Sequence, residues 1–240
     1  VPVRELTHHP VEPPFGFGAP ICFNEGVPSA VIFDCDGVLF DSYRANVAYY
    51  NAIRGRLGLP PMDDAWERRC HFLAASQVFE EMFGPDAERL ARVRAVAREV
   101  DYDPFYALME PAAGLHDVLE HLGRRHRLAM ATNRGSTVVE VVRRFELDRW
   151  LDTAVGLLDV ARPKPHPDVI ETCLARLGVA PDAAVYVGDA ESDLAAARAA
   201  GVHFVAVGGD GWSPRSVRTL AELPPVVDVL LGRNGRPRPS

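Results

Sequence analysis

The sequence predicts an α/β protein, a three-layer core with a parallel sheet and a helical insert after its first strand. Three observations carry that prediction. Short apolar runs, "AVIFD", "RLAMAT", "AAVYVG" and "VHFVAVG", recur along the chain without polar alternation, as expected of strands buried on both faces. Amphipathic stretches with recognisable ends separate them, and strand and helix in alternation mean a parallel sheet covered by helices. Residues 43–111 break that rhythm, reading as helices with no strand among them.

In chain order, residues 1–28 are rich in Pro and Gly with little periodicity and read as an extended arm or leader. Val31, Ile32 and Phe33 form the first strand, and Asp34 sits at its end. "YRANVAYYNAIRGRLGL", "DDAWERRCHFLAASQVFEEMFG" and "DAERLARVRAVAREV" supply the helices of the insert. "GLHDVLEHLG" places Leu115, Val118, Leu119 and Leu122 on one face and stops at Gly123. "HPDVIETCLARLG" puts Pro167 near a first helical turn and Gly178 after the last. The core thus comprises residues 29–42 and 112–231, and "GRNGRPRPS" (232–240) reads as a flexible tail.

Composition narrows the function classes. The 240 residues carry a formal net charge of −7, so no basic excess is present to replace counterions around a nucleic acid. Cys22, Cys35, Cys70 and Cys173 are far apart and form no C-x-x-C pair, which suggests neither a zinc site nor a disulfide framework and fits reduced thiols in a cytosol. There is no signal-peptide core and no apolar run long enough to span a bilayer. A soluble, cytoplasmic protein that binds neither membrane nor nucleic acid is expected. Its oligomeric state is left open.

Ligands of an open parallel sheet bind beyond the carboxyl ends of its strands, and four motifs fall there: Asp34-x-Asp36-Gly37, Thr132-Asn133, Lys164 within "RPKPHPD", and Gly188-Asp189 with Asp193. In an extended segment residues i and i+2 share a side, so Asp34 and Asp36 can converge while Cys35 turns away into the core. Such carboxylates are costly together unless something positive joins them. Each residue also has a plainer reading: a turn for the aspartates, an N-cap for Thr132, a helix N-terminal acid for Asp193, and a solvent-facing ring for His166. Arg54, Arg56, Arg68 and Arg69 read as a solvated helix face.

Taken together and in this order, the four motifs resemble the haloacid dehalogenase superfamily, in particular its phosphatases with a helical cap, similar to phosphoglycolate phosphatase and to β-phosphoglucomutase-like proteins. The resemblance spans roughly residues 29–231. It implies a Rossmann-like core, a cap over residues 43–111, and a Mg²⁺-dependent phosphatase acting on a small phosphorylated metabolite. It implies Asp34 as a nucleophile that becomes an aspartyl-phosphate, and Asp36 as the acid and base, with a proton requirement that fits a raised pKa. It further implies Thr132, Asn133, Gly37 and Lys164 around the phosphoryl group. The carboxylates of Asp34 and Asp189 and the backbone carbonyl of Asp36 would hold the metal, with Asp193 in support. A haloacid dehalogenase would lack Asp36, and a phosphonatase would need a cap lysine that is missing here. A β-phosphoglucomutase-type mutase is the nearest alternative. Those mutases resemble one another in a histidine five residues after the "FD" aspartate, where this chain has Asn46 after Asp41. A non-catalytic binding protein is the other alternative.

Overall fold

The computed structural model describes residues 28–72, 75–208 and 211–231, with side chains at 71–76 excepted. The proposed leader, apart from Pro28, and the tail after residue 231 lie outside the described residues. In chain order the elements are β1 (Ala30–Phe33), β2 (Phe40–Asp41), α1 (Tyr43–Arg56), α2 (Asp64–Phe72), α3 (Ala75–Phe83), α4 (Ala87–Glu99), α5 (Asp103–Tyr106), β3 (Glu110–Pro111), α6 (Leu115–Gly123) and β4 (Arg127–Ala131). They continue with α7 (Val138–Arg144), β5 (Thr153–Val155), α8 (Asp168–Leu177), β6 (Ala184–Gly188), α9 (Glu191–Ala200), β7 (His203–Val207), β8 (Ser216–Val217) and α10 (Leu223–Leu230).

Six strands form one parallel sheet in the order β5-β4-β1-β6-β7-β8. β1 lies inside it, with Ile32 opposite Ala129 of β4 on one side and Tyr186 of β6 on the other. Its alternating side chains divide the core. Val31 and Phe33 join Leu119, Leu122, Val141 and Val227 on one face, while Ala30 and Ile32 join Val169, Ile170, Cys173 and Ala197 on the other. Because β4 and β5 extend to one side of β1 and β6 to β8 to the other, the carboxyl end of β1 is the switch point where a crevice opens.

Helix ends follow the sequence. Gly178 and Gly201 terminate α8 and α9 with left-handed φ of 65° and 72°, a conformation glycine adopts without steric cost. Asp86 caps α4 by accepting from Arg89 N–H. Helices α1 to α4 bury their own cluster around Ile53, Val78, Phe79, Leu90 and Val93. The chain enters and leaves this helical segment through an antiparallel ribbon, Phe40 opposite Pro111 and Asp41 opposite Glu110.

The structure departs from expectation in places. β3 is a strand inside 43–111, while α2 and α3 lie within "DDAWERRCHFLAASQVFEEMFG", the stretch read as helical. β5 and β8, of three and two residues at the sheet edges, are too short for any periodicity to reveal. Among the described residues no helix is long and apolar enough to cross a membrane.

Gly156, after β5, packs against the loop that follows β4. A Cβ there would lie 2.6 Å from the Arg134 carbonyl oxygen, which already accepts from Leu157 N–H at 2.8 Å. Gly156→Ala should therefore destabilise the fold by about 1–3 kcal/mol through overpacking, read as a lower midpoint in urea unfolding.

Candidate active site

At the carboxyl ends of β1, β4 and β6 lies a cavity of about 290 Å³ bounded by Asp34, Asp36, Thr132, Asn133, Lys164 and Asp189. Asn46, Tyr49, Tyr50, Phe79 and Tyr102 of the helical segment form its other wall. The four motifs of the sequence therefore meet in one place.

Lys164 is buried, at 4% exposure. Its ammonium donates to Asp34 Oδ1 at 2.8 Å, Asp193 Oδ1 at 2.7 Å and Tyr186 Oη at 3.0 Å. Burial by itself would lower its pKa, but Asp193 and Asp34 hold it above the ordinary value. The loop carrying Lys164 is fixed by Asn133, whose amide accepts from Lys164 N–H at 2.9 Å and donates to Lys164 C=O at 3.2 Å. The Asn133 side chain, expected to face phosphoryl oxygens, is thus engaged in holding the lysine. Asp193 Oδ2 accepts from the backbone N–H groups of Asp189 and Ala190, both at 3.1 Å. It caps the start of α9 and faces Lys164 at once, so its two readings coexist.

Asp34 follows β1 directly, and its N–H donates to Val187 C=O at 2.8 Å. Burial raises its pKa to about 7; Lys164 opposes the rise, and Asp193 and Asp36 add to it. Asp189 has no such lysine contact, and burial, reinforced by Asp34 and Asp193, takes it to about 8. Gly37 faces Asp189 so closely that a Cβ would fall 1.8 Å from its Oδ2, and its φ of +77° is a second reason for glycine there. The loop therefore lies within contact distance of the Asp189 carboxylate.

Asp36 differs from expectation. Its carboxylate is gripped by Arg134, Nε to Oδ2 at 2.8 Å and Nη2 to Oδ1 at 2.6 Å, and it also accepts from the Ser42 hydroxyl. Burial favours the protonated form, but the Arg134 charge and hydrogen bonds, with that of Ser42, outweigh it and lower the pKa below the ordinary value. The raised pKa read from clustered carboxylates is corrected here: the nearest partner is a guanidinium. Arg134 escaped the sequence reading, although a basic residue directly after "ATN" at a strand end was its visible signal.

Thr132 Oγ1 accepts from Arg134 N–H at 3.2 Å, shaping the loop rather than starting a helix. Cys35 is fully buried within the apolar core. His166 is exposed. Arg54 and Arg56 donate to the carbonyls of Pro60 and Glu99, and Arg69 pairs with Glu81; these three and Arg68 are absent from the cavity wall.

The donor set fits a hard divalent cation. Carboxylate oxygens of Asp34, Asp189 and Asp193 lie within 4.8 Å of one another, and oxygen-only sites suit Mg²⁺. Four carboxylates share two bound cationic side chains, Lys164 and Arg134, so negative charge is in surplus. Asp193 is already committed to Lys164 and two N–H groups, which leaves Asp34 and Asp189 as the carboxylates best placed to take a metal. The Asp36 side chain is committed to Arg134, so only its backbone carbonyl is free to join them.

Comparison with known proteins agrees with this arrangement. A phosphoglycolate phosphatase of Xanthomonas campestris is 31% identical over 214 residues, covering 82% of this chain and 94% of that protein. The pyrophosphatase PpaX of Halalkalibacterium halodurans is 26% identical over 223 residues, covering 84% and 96%. A solved haloacid dehalogenase superfamily hydrolase of Geobacter sulfurreducens superposes with a TM-score of 0.69 at 33% identity, over 85% of this chain and 98% of that one. Residues 31–207, which hold all four motifs, match the haloacid dehalogenase-like hydrolase model, and the chain belongs to that family.

Proposed function

We propose that the protein is a phosphatase hydrolysing a small phosphomonoester through an aspartyl-phosphate on Asp34. The observation that carries this reading is the Asp34 carboxylate at a cavity edge, fixed by Lys164 through Oδ1 and flanked by Asp36 and Asp189. An oxygen of Asp34 attacks phosphorus, the bond to the ester oxygen breaks, and the leaving alcohol takes a proton from Asp36, which carries one only once its carboxylate is released from the Arg134 fork that holds it ionised. Asp36 then takes a proton from the water that cleaves the acyl phosphate and restores Asp34. Lys164, with the Thr132 hydroxyl, stabilises charge gathering on the phosphoryl oxygens. Mg²⁺, held by the carboxylates of Asp34 and Asp189 and the backbone carbonyl of Asp36, would supply the positive charge that lets an anionic ester approach anionic aspartates.

Residues 29–42 and 112–231 act as the core in this reading, and residues 43–111 as a cap closing over the cavity to exclude bulk water. The substrate is a phosphorylated metabolite met in the cytoplasm. Hydrolysis is favoured over a mutase reaction because Asn46, on the cavity wall, stands where the resemblance places a histidine in mutases, and an amide does not exchange protons with substrate. The motifs' convergence also favours an enzyme over a binding protein.

Asp34→Asn preserves shape but removes the attacking anion, so phosphate release should fall on the order of 10³-fold or more, measured on a panel of phosphorylated metabolites with and without Mg²⁺. Undiminished release would overturn the covalent route.

A second expectation concerns pH. Near neutrality the metal-free protein keeps protons on Asp34 and Asp189, whose pKa values lie at about 7 and about 8. Metal ligation requires deprotonated carboxylates. Mg²⁺ affinity should therefore climb from pH 6 to 9 with proton release, visible by calorimetry in buffers of different ionisation heat. Unfolding frees both carboxyls to ionise near their ordinary 3.8, so the native state binds the extra protons. Stability of the metal-free protein should decline as pH rises from about 4 through 8, and Mg²⁺ should restore more of it at pH 8 than at pH 6.

A further inference from the structure

Arg134 stands between the site and the helical segment. Its guanidinium is buried, with a side-chain exposure of 7%. Nε and Nη2 hold the two oxygens of Asp36 at 2.8 and 2.6 Å. Nη1 faces Tyr102 Oη at 3.3 Å and Thr137 Oγ1 at 3.4 Å, and Nη2 also faces Met109 Sδ at 3.6 Å.

We propose that Arg134 is a positioning residue that couples Asp36 to the helical segment, fixing the acid's orientation according to where Tyr102 stands. The inference rests on the reading of Asp36 as the leaving group's acid. A guanidinium has five N–H donors in a rigid plane, and the five contacts above occupy all of them. No donor is left for a substrate anion, so Arg134 acts through Asp36 and not on the ester itself. Its planar fork sets the plane of the carboxylate, which a point-charge ammonium could not do.

The contacts also lie at mechanically apt places. Met109 immediately precedes β3, and Ser42, whose hydroxyl shares the Asp36 carboxylate, immediately follows β2. The acid is thus tied to both strands of the ribbon through which the chain enters and leaves the helical segment. Tyr102 sits at the segment's exit, with its ring 5.2 Å from that of Tyr49 on the cavity wall. A rotation of the segment about the ribbon moves Tyr49 and, through their ring contact, Tyr102 against Arg134, while Met109 stays packed in the core cluster of Val31 and Phe33. The guanidinium follows or gives up contacts, and Asp36 turns toward the leaving oxygen or away from it.

The test compares two esters that both present an aromatic ring. Benzyl phosphate has an alkoxide leaving group that needs a proton; 4-nitrophenyl phosphate has one that leaves without help. In Arg134→Lys, alcohol release in the first turnover, which precedes the water step that both esters share, should slow roughly tenfold or more for benzyl phosphate and by no more than about threefold for 4-nitrophenyl phosphate, with both KM values held. Tyr102→Phe, which removes one hydroxyl, should give the same selectivity at about threefold, and it decides the matter if Arg134→Lys does not fold. An equal slowing of first-turnover alcohol release on both esters, or a rise in KM in place of that slowing, would overturn the coupling while leaving the phosphatase reading intact. A wild type that releases phosphate from neither ester nor any member of the metabolite panel would overturn both.

Discussion

The buried ammonium of Lys164 is the interaction on which the rest of the site depends. A charge removed from water costs several kcal/mol unless it is matched and hydrogen-bonded, and here it has Asp34 and Asp193 at 2.8 and 2.7 Å. Asp34 follows β1 directly and Asp193 lies in the first turn of α9, just beyond the adjacent strand β6, so satisfying one charge fixes the end of β1 relative to the start of α9. Asn133 extends the constraint to the loop after β4 by pairing with the backbone of Lys164 itself. Gly188 is a consequence: a Cβ there would lie 2.4 Å from that of Asp193, and the aspartate could no longer reach the lysine while capping α9.

From that anchor the four carboxylates acquire different characters. Asp193 is satisfied on both oxygens and serves as structure. Asp34 shares its lysine and keeps an oxygen for chemistry. Asp189 has neither cation in contact with it, and burial with the charges of Asp34 and Asp193 raises its pKa to about 8, so a metal would supply the positive charge it lacks. Asp36 alone belongs to the arginine. Four chemically identical side chains thus acquire four different environments through the identity of the cation beside each, and the proposed nucleophilic, metal-holding and acid/base roles follow that division.

This division explains how much could be read from the sequence. The apolar, non-alternating "AVIF" fixed β1 as an inner strand, and the ends of "RLAMA" and "AAVYVG" placed Thr132 and Asp189 beside it, because strand burial and strand-end position are local properties of the chain. Arg134 was out of reach for the opposite reason: its meaning comes from Asp36, 98 residues away, and an arginine before "GST" looks like any solvated loop cation. The same holds for Asn133, whose amide could serve a phosphoryl oxygen or a lysine backbone equally well until the "RPKPHP" loop is folded against it. β5 was missed because three residues, "TAV", take their strand character from pairing with β4 and not from any pattern of their own.

The two cation networks differ in what they touch, and that difference bears on motion. Every partner of Lys164 (Asp34, Asp193, Tyr186, Asn133) belongs to the sheet, the loops that follow its strands or the first turn of α9, so none of the contacts holding Asp34 to the lysine comes from residues 43–111. Arg134 takes partners of both kinds: Asp36, Thr137 and Met109, which is buried in the cluster of Val31 and Phe33, on the sheet side, and Tyr102, whose ring meets that of Tyr49 in α1, toward the segment. Rigid support under Asp34 and a shared grip on Asp36 suit the proposed two-step reaction, in which the attacking oxygen must stay put while the proton donor serves first an alcohol and then a water. The narrow β2–β3 ribbon has only two residues on each strand, yet Phe40 is fully buried against Phe145, so the ribbon itself is anchored to the core on the side of the acid.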